Sequence, residues 1–166
     1  MPTMGAILTM HALDEADIRI IKLLQTEGRI AVVDLAERVS LSPTACHKRI
    51  DKLEQAGVIA GYGAAISLRA IGYRVEAFVA VSIDRQAKVT ADGFKAAIEK
   101  LDGLRAWYLL SGDTDFLLHV IAPDLDAYTR GVLNQIMTLP GAQAVRTSFV
   151  LDKKVSTAPL VSAIDS

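Results

Sequence analysis

Residues 32–57 read V-V-D-L-A-E-R-V-S-L-S-P-T-A-C-H-K-R-I-D-K-L-E-Q-A-G, and this stretch decides the fold. Apolar residues recur at helical spacing over residues 32–39, which predicts a short first helix. Ser42 is a good N-cap for a second helix because its hydroxyl can accept from an otherwise unpaired backbone N–H. Pro43 fits the first helical position, where a missing N–H leaves no bond unmade, and Gly57 suits a left-handed C-terminal cap. The stretch therefore predicts two helices joined by a tight turn.

The two faces of the second predicted helix differ in chemistry. At roughly 100° per residue, Cys46, Ile50 and Leu53 fall in one narrow apolar sector. A small, hydroxylic and cationic outer face can approach DNA bases and donate to phosphates and base edges. An ordinary solvent-exposed helix also carries lysines, and spacing alone supports both interpretations equally. The preceding helix completes a helix-turn-helix pattern, which favours DNA. The residues on the side opposite the apolar sector are Thr44, Ala45, Lys48, Lys52 and Gln55.

Net charge gives no argument for DNA, whereas charge clustering does. The chain has a formal net charge of −1, and residues 1–66 hold 7 Lys and Arg against 8 Asp and Glu, again −1. The basic residues instead concentrate within two turns of the second helix. Weak net electrostatics suggests that several DNA-binding units act together, because each phosphate contact adds salt-sensitive affinity. The predicted contacts to double-stranded DNA are Ser42, Thr44, Ala45, His47, Lys48, Arg49 and Lys52.

Composition excludes several classes of protein. The chain has 166 residues, 51% apolar and 22% charged, so it should fold rather than stay disordered. No apolar run approaches the roughly 20 residues of a membrane span, and residues 1–10 lack the basic region of a secretory signal. A single cysteine, Cys46, excludes an internal disulfide framework and fits a reducing cytoplasm. We therefore expect a cytoplasmic protein with no membrane partner.

The first half of the chain should form one small DNA-binding domain. Residues 1–12 are predicted to be a flexible leader, and residues 13–66 a winged helix-turn-helix domain. Asp14 should cap a helix that ends near Thr26, and residues 58–66 should form a short extended ribbon, or wing. Residues 67–74 are predicted to be a linker. The expected buried stripe of the first helix comprises Ile18, Ile21, Leu23 and Leu24.

The second half changes period and predicts a different domain. The expected order is strand, helix, strand, strand, helix, strand, which is the ferredoxin-like βαββαβ arrangement, so the chain belongs to the α+β class. We place this domain at residues 75–155, followed by a C-terminal tail at 156–166. Several strands carry apolar residues at consecutive positions, so both sheet faces should be buried and a homodimer is expected. The predicted elements are residues 75–84, 90–101, 104–111, 116–122, 124–139 and 144–151. The second helix carries the apolar residues Leu125, Tyr128, Val132, Ile136 and Leu139.

A glycine turn at residues 111–115 is the strongest small-molecule candidate. Its two carboxylates and its backbone N–H groups suit the ammonium and carboxylate of an amino acid. An ordinary polar hairpin turn has the same composition, and spacing alone favours that simpler interpretation. Asp113 and Asp115 offer no recognisable third ligand for a cation. Cys46 and the mid-strand His119 are interpreted as packing residues. The sequence thus indicates no catalytic residue, no metal site and no enzyme.

Two motifs carry a family resemblance. They are L-D-E-A-D-I-R-I-I-K-L-L-Q-T-E-G-R and L-S-P-T-A-C-H-K-R-I-D-K-L-E-Q-A-G-V-I-A-G-Y. Residues 14–66 resemble the DNA-binding half of the Lrp/AsnC (feast/famine, leucine-responsive regulatory protein) transcriptional regulators. The resemblance continues into the second half, which is similar to the family's ACT-like, or RAM, domain for ligand sensing and assembly. It implies a sheet-to-sheet dimer and higher rings of dimers, often octamers, that wrap DNA.

The same resemblance implies an effector site. The family's S-G-D-x-D loop lines an amino-acid site between dimers, which points here to Ser111, Gly112, Asp113 and Asp115. Thr114 lies where many relatives have an aromatic residue. Weaker wall positions would be Leu125, Met137, Phe149 and Val150. The implied function is a DNA-binding transcriptional regulator that needs no cofactor and responds to an amino acid. Two alternatives remain open: an architectural DNA-binding protein without an effector, and an amino-acid-sensing regulatory subunit of a metabolic enzyme.

Overall fold

The computed structural model describes residues 13–84 and 91–156. These residues group into two compact units, of which one contains residues 13–65 and the other runs from Ile66 to Lys154. The predicted leader, the start of the predicted helix at Thr90 and most of the predicted tail lie outside the described residues.

Residues 13–65 contain three helices, α1 (Glu15–Thr26), α2 (Val32–Arg38) and α3 (Pro43–Gln55). The predicted Asp14 cap is confirmed: its side chain accepts from the backbone N–H of Asp17, whose own side chain accepts from the Asp14 N–H. This reciprocal capping box fixes the first turn of α1, because it satisfies two N–H groups that have no partner inside the helix.

The boundaries of α3 are also those that the sequence predicted. The Ser42 hydroxyl accepts from the backbone N–H of Ala45 at 3.2 Å, and Pro43 occupies the first helical position. Gly57 has a φ of +70° and follows the last turn. The next residue, Val58, donates its N–H to the carbonyl of Leu53 at 2.9 Å, so the helix ends in a glycine-dependent cap.

The three helices enclose one apolar core. The predicted stripe of α1 is partly wrong, because its innermost residues are Ile20 and Asp17, 0% and 4% exposed, while Ile18 is only half-buried. Asp17 can occupy the inner face because Arg49 pairs with its carboxylate. The buried face of α1 is therefore rotated about the helix axis from the face that the hydrophobic pattern indicated. The buried core residues are Ile20, Leu35, Ala36, Val39, Cys46, Ile50 and Leu53.

Residues 58–66 form no strand within the described part of this unit, so the predicted ribbon is not present as a β-structure. The segment is anchored instead by Tyr62, whose hydroxyl bonds to the carboxylate of Glu54 at 2.9 Å. Burial, together with that carboxylate, raises the pKa of Tyr62 to about 12. The predicted linker at residues 67–74 contains a 3-10 turn, Arg69–Ile71, which is followed by Gly72 at a φ of +93°.

The second unit confirms the ferredoxin-like prediction. Four antiparallel strands among the described residues form one sheet in the order β2-β3-β1-β4. Helix α4 is Ala91–Ile98, and a second helix, here called α5, spans residues 125–137. Helix α5 consists of α-helical Leu125–Ala127, a π-helical turn Tyr128–Leu133 and α-helical Asn134–Met137. The strands are β1 (Val75–Ile83), β2 (Leu104–Leu109), β3 (Phe116–Ala122) and β4 (Ala142–Phe149).

Strand β3 has the predicted bounds, whereas β2 and β4 end two residues earlier than predicted. Strand β4 also begins earlier, because Ala142 pairs with Ile83 beyond an irregularity that follows Ser82. Helix α4 ends at Ile98, although Leu101 still packs on the core. The shifted start of β4 arises from pairing register, which local residue pattern does not encode.

One face of the sheet is covered by α4 and α5. Ala77, Val79 and Val81 of β1 are fully buried there, together with Phe94 and Ile98 of α4. The helix α5 adds buried Tyr128, Val132 and Ile136, whereas Leu125 in its first turn is 55% exposed.

The opposite face is open within one chain. Antiparallel partners share a face, so the pair Phe78 and His119 lies opposite the buried pair Val79 and Leu118. Phe78 is 37% exposed, and Tyr108 on the same open face is 50% exposed. The strand pattern predicted that both faces of the sheet are buried. The described part of a single chain buries only one of them.

A glycine in the α4–β2 connection gives a direct test of this packing. Gly103 has a φ of +70°, and a Cβ there would lie 2.1 Å from the carbonyl oxygen of Ile121. Gly103→Ala should lower the free energy of unfolding by roughly 2–4 kcal/mol, since backbone strain and steric overlap add. Urea denaturation followed by circular dichroism measures the change.

Gly131→Ala is the matched control. A Cβ at Gly131 meets nothing within 4 Å, so stability should stay the same or rise slightly. Equal destabilisation by the two substitutions would contradict the packing assigned to Gly103.

Candidate nucleic-acid interface and ligand loop

The outer face of α3 is exposed as predicted. Thr44, Lys48 and Lys52 are exposed, and neither lysine has an acidic partner among residues 13–84 and 91–156. Ala45 is half-buried, and the Ser42 hydroxyl is already used as the N-cap. The face is held outward because the opposite side of the helix is anchored in the core.

His47 is exposed on the flank of α3. Its Nε2 lies 3.7 Å from a carboxylate oxygen of Asp51, one turn further along the helix. A protonated imidazole would therefore share its charge with Asp51 as well as with any ligand.

Arg49 occupies a different environment from the other predicted contacts. Its Nη1 donates to Asp14 at 2.6 Å and to Asp17 at 2.7 Å. The Asp14 carboxylate raises the pKa of Arg49, and Asp17 raises it further. The Asp17 backbone N–H and then the Arg49 guanidinium hold the pKa of Asp14 below its usual value. Sequence reasoning missed this network, although two acids near the start of α1 and an arginine on α3 were a visible signal.

Cys46 lies on the buried face of α3, fully shielded from solvent. Burial raises the pKa of its thiol, which disfavours the reactive thiolate. In the described ranges no three His, Cys, Asp or Glu side chains could share a metal ion, and no helix is long and apolar enough to span a bilayer.

The loop at residues 111–115 is tied to the end of β1. The Asp115 carboxylate accepts from the backbone N–H of Ile83 at 2.7 Å, and the Asp115 carbonyl accepts from Leu110 at 2.9 Å. The Ser82 hydroxyl donates to the carbonyl of Asp113 at 3.2 Å. The Asp115 side chain thus satisfies the backbone N–H of Ile83 at the irregularity in the β1–β4 pairing. The sequence did not suggest this role.

The tip of this loop faces solvent. Ser111, Gly112 and Asp113 are exposed, and Thr114 is half-buried. Gly112 has a φ of +127°, which a side chain would strain. Among the described residues the Asp113 carboxylate has no hydrogen-bond partner, so it is the freer of the two acids.

The predicted wall residues do not gather around the loop in one chain. Phe149 pairs with Ala77, six residues along β1 from the Ile83 contact of the loop, so they are roughly 20 Å apart. Leu125 and Met137 are both exposed, at opposite ends of α5 and roughly 18 Å apart. A single amino acid cannot touch all of these positions within one chain.

Phe149 and Val150 instead lie near the start of β1. The Phe149 ring packs edge-on against Tyr128, with centroids 5.2 Å apart, and remains 45% exposed. Val150 donates its N–H to the carbonyl of Glu76 and lines a cavity of about 360 Å³ with residues 66–69 and 73–76.

His119 is satisfied, as predicted, but it lies on the open face and not in the core. Its Nε2 is 2.8 Å from a carboxylate oxygen of Glu76, and its ring stacks on Phe78. Lys153 binds the same carboxylate at 2.5 and 2.8 Å. Burial raises the pKa of Glu76, but Lys153 and His119 lower it more, so the carboxylate stays ionised.

Comparison with known proteins covers both units. Residues 13–60 match the winged helix-turn-helix DNA-binding model, and residues 76–160 match the Lrp/AsnC ligand binding domain. The chain is 37% identical over 141 residues to the leucine-responsive regulatory protein of Salmonella typhimurium, spanning 85% of this chain and 86% of that protein. The corresponding protein of Escherichia coli K12 is 36% identical over the same lengths.

Solved structures agree with these matches. A transcriptional regulator from Neisseria meningitidis, solved as its L-Met complex, has a TM-score of 0.84 and 36% identity, covering 92% of this chain and 99% of that one. AsnC of Escherichia coli has a TM-score of 0.74 and 27% identity over 87% of this chain and 95% of its own. The chain therefore belongs to the Lrp/AsnC family of DNA-binding transcriptional regulators, which carry a ligand-binding domain and are not enzymes.

Proposed function

We propose that the chain reads double-stranded DNA through the outer face of α3 and responds to an amino acid bound by the second unit. One observation carries the DNA part: Lys48 and Lys52 are exposed, without an acidic partner in the described ranges, on a helix whose other side is buried. Thr44 adds a hydroxyl near the N-terminus of the helix, where small neighbours allow close approach to base edges. The proposed contacts are Ser42, Thr44, Ala45, His47, Lys48 and Lys52.

We propose that the protein acts in the cytoplasm and that its two domains have separate functions. We assign DNA reading to residues 13–66, the connection to residues 67–74, and sensing and assembly to residues 75–155. The separation of the described residues into units at Ala65 and Ile66 supports a boundary in this region.

Substitutions on the outer face test the DNA assignment. Lys48→Ala or Lys52→Ala should weaken DNA binding and lower the salt slope by about one for each phosphate that is no longer neutralised. Thr44→Ala should cost on the order of 1–3 kcal/mol if its hydroxyl reads a base. Fluorescence anisotropy over a range of salt concentrations measures both quantities on a duplex that the wild-type protein selects from a random pool.

Lys100→Ala is the control, because Lys100 is an exposed lysine of the other unit. It should leave both affinity and salt slope unchanged. If all three α3 variants also bind like the wild type, this face does not read DNA.

For the effector, we propose that the loop at residues 111–115 binds an amino acid. Backbone N–H groups around Gly112 would meet the effector carboxylate, and the carboxylates of Asp113 and Asp115 would meet its ammonium group. The Neisseria meningitidis relative in its L-Met complex supports an amino acid as the ligand class. Because one Asp115 oxygen already accepts from Ile83, Asp115 would both hold the loop and face the ligand.

The site would be completed by a second copy of the chain. The loop, with Ser111 and Thr114, lies at one end of the sheet, whereas Phe149 and Val150 lie at the other end. Apolar walls from Leu125, Met137, Phe149 and Val150 could therefore surround a ligand only if different copies contribute them. Binding there would shift the assembly equilibrium and, through it, the placement of the DNA-binding units.

The assembly that we propose begins with a dimer through the open sheet face. Phe78, Tyr108 and the half-buried Ala80 and Leu117 give this face an apolar centre. A two-fold dimer would set two α3 helices roughly 34–36 Å apart, or a multiple, on a pseudo-palindromic site. Dimers would then join into a higher oligomer such as an octamer.

An Asp113 substitution separates ligand binding from loop anchoring. Asp113→Asn should weaken effector binding by at least about tenfold, because it removes a charge-assisted bond to the ammonium group. DNA binding without effector should survive, since Asp113 does not hold the loop through its side chain. Calorimetry with L-methionine, and then with the other proteinogenic amino acids, measures the affinity.

Glu99→Gln is the matched removal of one exposed carboxylate, on the segment after α4. It should leave the affinity unchanged. Equal effector affinity in Asp113→Asn and wild type would remove Asp113 from the site. If no amino acid binds the wild-type protein or alters its DNA binding, the architectural alternative is favoured.

A further inference from the structure

We infer that Arg49 positions the DNA-reading helix and does not itself contact DNA. The guanidinium fixes α3 against the start of α1, and so sets the angle at which the outer face of α3 meets the duplex. This inference rests on the proposed DNA-reading role of α3 and assigns a different task to one of the residues predicted as a contact.

The anchor for Arg49 is rigid. Its Nη1 bridges the carboxylates of Asp14 and Asp17 at 2.6 and 2.7 Å. These two acids also form the capping box of α1, with the Asp17 N–H donating to Asp14 at 2.9 Å. The Asp17 side chain is only 6% exposed and the Arg49 side chain 33%, so this arm of the bridge is less weakened by solvent than a surface ion pair, whereas the Asp14 arm is 54% exposed on its acidic side. Arg49 therefore connects α3 to the first turn of α1, which the capping box holds.

The place of Arg49 on α3 explains what the bridge controls. At about 100° per residue, Arg49 lies roughly 60° from Cys46 on the buried side and about 100° from Lys48 on the outer side. A contact on the flank resists rotation of the helix about its own axis. The apolar contacts of Ile50 and Leu53 do not prevent this rotation, because they are not directional. Rotation by about 20° at a radius of 5–6 Å moves a side-chain tip by about 2 Å. That displacement breaks a hydrogen bond to a base edge.

Charge balance separates Arg49 from the proposed contacts. Two carboxylates surround its single positive charge, whereas Lys48 and Lys52 have no acidic partner in the described ranges. Moving Arg49 to a phosphate would also leave the buried Asp17 carboxylate unpaired, which is strongly unfavourable. A role in positioning keeps both groups satisfied.

The two possible roles of Arg49 predict opposite effects of Asp17→Asn. If Arg49 positions α3, removal of the Asp17 charge loosens the bridge and weakens specific binding. If Arg49 contacts DNA, the same substitution releases its guanidinium from a competing anion and strengthens binding. The sign of the change decides between the roles.

The experiment uses the full chain and two duplexes, one selected from a random pool by the wild-type protein and one scrambled sequence of the same composition. Arg49→Met and Asp17→Asn should each lower affinity for the selected duplex by about tenfold or more, because the hydrogen bonds to base edges become misaligned. Affinity for the scrambled duplex and the salt slope should stay unchanged, since every lysine that faces a phosphate is still present. The double variant should bind like Arg49→Met alone, because both substitutions break one bridge.

Lys48→Ala is the reference for a true contact and should weaken binding to both duplexes with a salt slope lower by about one. Circular dichroism checks that each variant is folded. Asp14→Asn is the mildest variant, because asparagine still caps α1 but lacks the charge. It should show a smaller reduction of the same kind, and it decides the question if Arg49→Met does not fold.

A fall of about one in the salt slope of Arg49→Met on both duplexes, or tighter binding by Asp17→Asn, would overturn the inference. An unchanged ratio of selected to scrambled affinity in Asp14→Asn would overturn it as well. Failure of Lys48→Ala, Lys52→Ala and Thr44→Ala alike to change binding would instead refute the proposed reading face, so the two failures are distinguishable.

Discussion

In the described part of the chain, helices cover one face of the four-stranded sheet and leave the other face open. The covered face is closed by fully buried side chains from β1, β3, α4 and α5. The open face carries Phe78 and Tyr108 beside the satisfied cluster of Glu76, His119 and Lys153. An apolar centre with a polar, ion-paired margin is the usual anatomy of an interface between subunits. This one-sided coverage is the constraint from which the proposed assembly follows.

The one-sided coverage of the sheet also links the proposed effector site to the proposed DNA-reading face. The loop at residues 111–115 and the wall residues Phe149 and Val150 are at opposite ends of the sheet, so one chain does not complete the proposed pocket. An effector bound between copies would stabilise one arrangement of copies over another. Because each copy would present one α3 helix to DNA, a change in the arrangement of copies would change the spacing of those helices on the duplex.

In the proposed function, DNA reading depends on how α3 packs against the other two helices. One side of α3 is buried through Cys46, Ile50 and Leu53. We infer that the bridge from Arg49 to Asp14 and Asp17 sets the orientation of the helix about its axis. A chain with no net positive charge must gain affinity from few contacts per copy, which makes alignment and multiplicity more important than total charge.

The sequence predicted those parts of the fold that depend on local chemistry. Ser42, Pro43 and Gly57 marked α3 correctly, because caps and first-turn prolines act within a few residues. The order of strands and helices along the chain followed from the periodicity of the apolar residues and from the turn residues. The order of elements, however, could not place Ile83 beside Asp115, since that contact depends on strand register.

Other features needed the three-dimensional structure for a similar reason. Asp17 was absent from the predicted buried stripe of α1, because its partner, Arg49, is 32 positions away in the sequence. Leu125 lies outside the core, 55% exposed, although Tyr128 and Val132 follow it at helical spacing and are buried. The motif resemblance named the loop residues, but only the register showed that the loop and its supposed walls lie apart.

The molar mass of the wild-type protein in solution, measured by light scattering at micromolar concentration, tests the central claim most directly. The open sheet face predicts a dimer or a multiple of dimers. Phe78→Lys should reduce the mass, because it places a charge at the centre of the proposed interface, whereas Val33→Lys, at an exposed apolar residue of α2, should not. A monomeric wild-type protein, or a Phe78→Lys variant with unchanged mass, would contradict the account.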